Sequence, residues 1–363
     1  MKILLLGEYS NVHNTLALGL RALGHQVVVI SNGDFWKDYP RDIDVARMPG
    51  KLGGIMLMAK LYALLPKLRG YDVVQLINPI FFELKAERLF WFYRYLRQHN
   101  KRVFLGAFGM DYYWVHACTY EKPLRYSDFN IGNHVRTDTE AVKYQRDWLG
   151  TTKEQLNKLI AQDCDGIIAG LYEYWACYSP VYADKTCFIP FPIKMPESYN
   201  TERAQKSKVV IFIGINRERS VYKGTDIMLQ AAKDVQHKYP QRMKLNIAES
   251  VPFAEYSQLM EGSDAILDQL YAYTPSMNPL LAMSKGIICI GGGEPENYEI
   301  INETELCPII NVEPTYESVY HELEQLVLNP NRIPELKRQS VAYVKKHHDY
   351  LKVAQQYLDF WTK

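Results

Sequence analysis

At 363 residues the chain is long for one hydrophobic core and comfortable for two. Hydrophobic residues at 47% and charged residues at 23% fit an ordinary globular protein, and a formal net charge of +1 excludes a global field that would draw it to nucleic acid. No apolar run approaches the ~18 residues of a membrane span, and Met1 to Gly7 reads as a first buried strand, too short for a signal peptide. Cys118, Cys164, Cys177, Cys187, Cys289 and Cys307 are scattered with no CxxC pair, so a reduced cytoplasmic compartment is expected.

In chain order, residues 2–6 predict a strand, 15–23 a helix ending at Gly24, and 25–30 a second strand. A helix over 51–68, a strand over 72–77, a helix over 84–98 and a strand over 102–105 follow. Residues 113–150 are polar and aromatic without a clean period, and read as an insertion or a substrate loop. Helix 152–162, strand 166–169, helix 171–178 and strand 186–189 complete a first half. The connector Pro190-Phe191-Pro192-Ile193-Lys194-Met195-Pro196 and the polar stretch after it mark the domain boundary. The second half repeats the alternation: strands over 209–213, 243–247, 265–268, 287–290 and 308–310, helices over 225–236, 253–261, 276–284, 315–328 and 333–346. An amphipathic helix over 350–361 ends the chain. Short buried strands alternating with helices mean parallel sheets covered on both faces. The expected class is therefore α/β, with two Rossmann-like doubly wound domains over 1–192 and 193–346 and a terminal helix over 347–363 that crosses back to the first.

The segment Gly214 to Asp226 follows an apolar strand and opens a helix. A strand, a glycine-bearing loop with cations and a helix N-terminus make an anion site, because free N–H groups and the helix dipole point at the ligand. Arg217 and Lys223, six residues apart, are read as a clamp on a leaving diphosphate, with Arg219 as the competing candidate. The bland alternative is a solvated cationic loop. Other candidates also follow strands. Gly7 permits a close backbone approach to a phosphate or sugar. Ser10 and Asn11 suit a helix cap or a ligand, and His13 suits an acceptor hydroxyl or a donor phosphate. Gly109 and Asp111 follow the fourth strand, where Asp111 either bonds acceptor hydroxyls or caps the next segment; His116 reads as structural. Asp268 and Gln269 end a strand in the second half, and Ser276, Met277 and Asn278 begin a helix whose N–H groups suit a phosphate.

Several of these motifs together resemble the GT-B glycosyltransferases, and within them the family-4, retaining group. Gly7-Glu8-Tyr9-Ser10 to Gly24-His25-Gln26-Val27 is similar to that family's opening glycine turn and "GHxV" strand. Phe108-Gly109-Met110-Asp111 lies where it carries "HGxD" or "GSD". Ile189-Pro190-Phe191-Pro192 is similar to its "IPNP" linker, Gly214 to Gly224 to its diphosphate loop, Asp264 to Leu270 to its "ADxxxDQ" strand, and Ala282 to Gly286 to its "EAMAxG" helix. Gly291-Gly292-Gly293-Glu294 sits at its next glycine turn. The order holds over about 290 residues. The resemblance implies two domains facing a cleft, a donor on the second, an acceptor on the first, and closure that excludes water. It implies a hexosyltransferase-type enzyme that moves a sugar from a UDP- or GDP-linked donor to a hydroxyl of a glycan or glycolipid acceptor, as in polysaccharide biosynthesis. No cofactor and no metal are expected, since cations would take the place of a DxD-held ion. The family's usual pair of glutamates is not intact: its second member falls on Leu281 and its first near Tyr273. Glu294, Glu296 or Glu299 is then expected to hold the nucleotide ribose, Glu294 and Glu296 foremost. Two rivals stand beside this reading, a nucleotide-sugar 2-epimerase and a catalytically silent relative acting as a binding or scaffold subunit.

Residues 51–69 are basic and apolar, with Lys51, Lys60, Lys67 and Arg69 among Ile55, Met56, Leu57 and Leu61. Such a helix either packs on its own sheet or rests on an anionic membrane. The expected location is cytoplasmic, with this helix as the candidate for peripheral contact with the inner face of the membrane.

Overall fold

The computed structural model describes residues 1–199, 201–202, 208–249, 251 and 253–363. In chain order the elements are β1 (Lys2–Leu6), α1 (Val12–Ala22), β2 (Gln26–Ser31), β3 (Ile43–Asp44), α2 (Gly50–Leu64), β4 (Val73–Leu76), α3 (Ala86–His99), β5 (Arg102–Ala107), α4 (Tyr112–His116), the hairpin strands β6 (Asn130–Ile131) and β7 (His134–Val135), α5 (Thr139–Trp148), α6 (Thr152–Asp163), β8 (Gly166–Ala169), α7 (Tyr172–Tyr178) and β9 (Thr186–Phe188). Then come β10 (Val209–Ile215), α8 (Ser220–Lys223), α9 (Thr225–Lys238), β11 (Met243–Glu249), α10 (Phe253–Met260), β12 (Ala265–Leu267), α11 (Met277–Ser284), β13 (Ile288–Gly291), α12 (Pro295–Glu299), β14 (Ile310–Asn311), α13 (Tyr316–Leu328), α14 (Ile333–His347) and α15 (Tyr350–Thr362).

Two compact units share the chain. The first holds residues 1–123, 143–192 and 350–363; the second holds 124–142 and 193–349. The excursion 124–142, which the sequence reading placed in the first half, thus belongs to the second unit. Its polar and aromatic side chains find their hydrogen-bond partners there, described below.

The first unit is built on a seven-stranded sheet in the order β3-β2-β1-β4-β5-β8-β9, and every pair is parallel. β1 is central, which is why Ile3, Leu4, Leu5 and Leu6 form an unbroken apolar run with no exposed surface. The strand order reverses at β1, between β2 and β4, so the crevice for a ligand opens past the carboxyl ends of β1 and β4. α15 packs on this unit. Gly19 of α1 lets its backbone close in, since a Cβ there would stand 2.4 Å from the Tyr350 carbonyl oxygen. Arg102 donates to the Trp361 carbonyl at 2.6 Å, and the Trp361 indole donates to Gln75 Oε1 at 3.3 Å.

The second unit has a five-stranded parallel sheet, β11-β10-β12-β13-β14. Phe212, Met260, Ile266, Ala282 and Ile287 form one side of its core. Its order reverses at β10, between β11 and β12. A buried ion pair, Lys337 Nζ to Asp264 Oδ1 at 3.2 Å, ties α14 to the start of β12, and Asp264 also accepts from the Val210 N–H. No helix among the described residues is long and apolar enough to cross a membrane.

Candidate functional site

In the second unit the loops after β10, β12 and β13 meet at the switch point. Gly214 ends β10 under the ring of Tyr256, where a Cβ would stand 2.4 Å from the ring. The Tyr256 hydroxyl accepts from Asn278 Nδ2 at 2.7 Å, so the start of α11 is tied to the end of β10. The cationic loop continues through Arg217 and Arg219 to α8. Gly224 then turns it into α9 with φ +69°, and a Cβ there would strike Leu270 at 2.6 Å. Leu270 N–H donates to the Lys223 carbonyl at 3.0 Å. Asp268 lies beside Gly291, whose built Cβ would be 3.5 Å from that of Asp268. The expected residues Lys223, Asp268, Ser276, Asn278 and the glycine turn 291–293 thus stand on one end of one sheet. The α11 N–H groups there are not capped by the Ser276 side chain. Met277 is buried. Gln269 is half-buried beside Asp268.

The three cations are not equivalent. Arg217 is largely exposed and forms a bidentate pair with Glu249 at the end of β11, one contact at 3.0 Å. Of the two residues expected as the clamp, Arg217 thus holds a carboxylate in an exposed ion pair. Arg219 lies over the Tyr222 ring at 5.3 Å, and the Tyr222 hydroxyl donates to Asp128 at 2.7 Å. Burial pushes the Asp128 carboxyl up, while the Tyr222 bond and the charges of Arg219, Arg136 and Lys223 pull it down; burial prevails. Arg219 and Lys223 therefore form the cationic pair that lies around one carboxylate.

That carboxylate belongs to the excursion 124–142, which is fastened to the second unit at two places. Arg136 donates to the carbonyls of Val221 at 2.9 Å and Tyr222 at 3.0 Å, pairs with Asp138 at 3.1 Å, and lies 3.8 Å over the Tyr271 ring. At the other end, Arg125 binds Glu294 at 2.6 Å and Glu296 at 2.5 Å, and the Tyr126 hydroxyl donates to Glu294 at 2.5 Å. Asn311 donates to the same Glu294 at 3.0 Å. Glu294 and Glu296, the acids expected to hold a ribose, are thus both hydrogen-bonded to the excursion. Glu299 is exposed.

In the first unit the residues after β1 and β5 come together at the other switch point. Gly7 has φ +82°, and a Cβ there would overlap the Ile77 side chain at 2.2 Å. A Cβ at Gly109 would stand 3.0 Å from the Tyr9 ring. The N-terminus of α1 is occupied from within: Glu8 accepts from the His13 and Asn14 N–H groups at 3.2 and 2.8 Å. Asn11 holds the N-cap position, but its side chain makes no capping bond. The Ser10 N–H goes to Asp34 at 2.8 Å and its hydroxyl accepts from Lys37, while Asn11 accepts from the Asn14 side chain. α1 accordingly begins at Val12, three residues before the predicted start. Burial lifts the Glu8 carboxyl to about 8 against the pull of those N–H groups. His13 is fully buried; Nδ1 donates to the Gly7 carbonyl at 2.8 Å, and burial lowers its pKa to about 3. It is a neutral imidazole with Nε2 as an acceptor, which suits a hydroxyl and not a phosphate. Nε2 has no hydrogen-bond partner among the described residues.

Asp111, expected either to bond acceptor hydroxyls or to cap the next segment, caps α4 in this structure. It is fully buried, accepts from Trp114 N–H at 2.9 Å as the N-cap of α4, and accepts from the Tyr178 hydroxyl at 2.7 Å. Burial raises it to about 7. Asn157 closes the network by donating to Tyr178 at 3.1 Å and accepting from Tyr112 N–H at 2.9 Å.

No protein-family model matches the chain, and no curated protein matches it. Solved structures do. HepE from Anabaena, in complex with UDP and glucose, is 13% identical with TM-score 0.60, over 100% of this chain and 99% of that one. Sucrose-phosphate synthase from Thermosynechococcus elongatus is 13% identical with TM-score 0.64, over 100% and 98%. A Listeria monocytogenes protein designated a UDP-N-acetylglucosamine 2-epimerase is 11% identical with TM-score 0.55, over 99% and 95%. The chain has the GT-B fold. Both Rossmann-like units of the GT-B architecture are present, as the alternation of strands and helices implies.

Within the GT-B frame, the residues missed from sequence are Glu8, Tyr256 and the excursion's Arg125, Tyr126, Asp128 and Arg136. Glu8 carried a signal, an acid in the turn before a helix. The others carried none, because their partners lie 85 or more residues away in the chain or across the sheet.

Proposed function

We propose that the protein is a glycosyltransferase that takes a sugar from a nucleoside diphosphate donor, without a metal, and passes it to a hydroxyl of a glycan or glycolipid acceptor with retention. One observation carries this reading. At the switch point of the second sheet, Lys223 and Arg219 lie in a loop bounded by Gly214 and Gly224, and Tyr256, whose ring covers Gly214, accepts from Asn278 in the first turn of α11, which the Ser276 side chain does not cap. That pairing of fixed cations with helix N–H groups suits a diphosphate whose charge grows as the glycosidic bond breaks. The full-length likeness to a structure holding UDP and glucose, and to an enzyme named for making sucrose phosphate, supports it.

On this reading the second unit binds the donor and the first unit meets the acceptor. The likeness to the designated epimerase keeps a second reading in play, a 2-epimerase acting on the same class of nucleotide sugar. Calorimetry with UDP and GDP tests nucleotide binding. Incubation with a set of UDP- and GDP-sugars, read by NMR, then separates transfer or hydrolysis from epimerisation, and the anomer formed reports retention. No affinity for either nucleotide sinks both readings and favours a silent scaffold.

A further inference from the structure

The outer face of α2 is apolar where a helix on a sheet is ordinarily polar. Its inner stripe, Gly53, Leu57 and Leu61, is buried on the first unit. Its outer stripe is also apolar: Leu52 is 74% exposed, Ile55 66% and Met56 57%. Tyr62, at the C-terminal end of the same helix, contacts the exposed Trp91 of α3 with ring centroids 5.4 Å apart, and Trp91 stacks on Tyr95 at 5.6 Å. The Tyr95 hydroxyl donates to the Leu65 carbonyl at 3.0 Å, which joins the two helices into one surface. Apolar and aromatic side chains held outward in one contiguous patch mark a binding surface.

Cations outnumber acids around the patch. Residues 45–71 contain Arg47, Lys51, Lys60, Lys67 and Arg69 and no acid at all. α3 adds Arg88 and Arg94, both exposed. Two carboxylates stand against them, Glu83, which accepts from the Arg47 N–H at 3.0 Å, and the exposed Glu87. A second copy of the chain seated on this face by a twofold axis would set these cations against themselves. An anionic lipid surface satisfies both halves of the pattern, with apolar side chains in the acyl boundary, cations at the phosphates and Tyr62 and Trp91 at headgroup level.

We propose that the α2–α3 face of the first unit docks on the surface of an anionic lipid bilayer, with Leu52, Ile55 and Met56 as the inserted side chains and Lys51, Lys60, Lys67 and Arg69 as the headgroup contacts. This rests on no assumption about the reaction. Partition of the full chain is measured by co-sedimentation with vesicles of phosphatidylcholine alone and of equimolar phosphatidylcholine and phosphatidylglycerol, at low and high salt. The anionic vesicles bind the protein, salt weakens binding, and the neutral vesicles bind poorly. Lys51→Ala and Lys60→Ala each weaken partition about fivefold. The double variant Ile55→Ser with Met56→Ser weakens it more than about tenfold. These side chains point outward, so the variants keep the wild-type melting temperature, which circular dichroism verifies. Equal binding by wild type and variants, or no binding to anionic vesicles, overturns the proposal. A concentration-dependent dimer in sedimentation velocity that Ile55→Ser with Met56→Ser abolishes also overturns it, in favour of a second copy.

Discussion

The guanidinium of Arg136 stands 3.8 Å from the centre of the Tyr271 ring, and from that position it holds the carbonyls of Val221 and Tyr222. A residue from the first half of the chain thus sets the backbone that leads into Lys223 and Gly224. Arg136→Ala should weaken nucleoside diphosphate binding roughly tenfold, since two charge-assisted bonds at about 1.5–3 kcal/mol each no longer fix the loop. Arg136→Lys should recover part of it. Calorimetry with UDP and GDP checks this; unchanged affinity in Arg136→Ala would show that the loop keeps its shape unaided.

The cations of the loop should rank by their surroundings. Arg217 is exposed and paired with Glu249, where water and salt screen the attraction. Lys223→Ala and Arg219→Ala should therefore lower transfer by roughly a hundredfold, whereas Arg217→Ala should lower it by less than about tenfold. Initial rates with a donor found active in the sugar screen decide the order, and a dominant effect at Arg217 would make it the clamp.

Transfer should proceed in EDTA, because the cationic loop serves as the charge partner of the leaving group. Loss of activity in chelator, restored by Mn²⁺ or Mg²⁺, would contradict the proposed chemistry.

Glu8 makes stability depend on pH in a defined direction. Its folded pKa, about 8, lies above the ordinary 4.5 of a free glutamate, so between these limits the folded state binds more protons than the unfolded state. Stability contributed by neutral Glu8 is full below 4.5 and is lost as pH rises toward 8. Melting temperature measured against pH should fall across this window in wild type and be flatter in Glu8→Gln. Parallel profiles would mean that the carboxyl titrates normally.

Lys337 and Asp264 should behave as a buried pair. Lys337→Met leaves the fully buried Asp264 carboxylate facing an apolar group and should cost about 3–5 kcal/mol in urea unfolding. A change below about 1 kcal/mol would place the pair in contact with water.

Much of the fold is local and was therefore legible. β1 is a run of four consecutive buried residues, and β10 leads directly into a glycine loop and α9, so period and punctuation alone located both sheets and the cationic loop. Side-chain employment is not local. Asp111 reads equally as a ligand or a cap until Tyr178 and the Trp114 N–H are seen to hold it. Glu294 reads as a ribose partner until Arg125, Tyr126 and Asn311 surround it. The sequence by itself determined the alternation of elements and the place of the cationic loop, because apolar period and glycine punctuation are properties of neighbouring residues. Only the tertiary structure decided that 124–142 belongs to the second unit and that α2 presents an apolar stripe outward. Those outcomes depend on which of several chemically adequate partners, distant in the chain, each side chain meets once both sheets have formed.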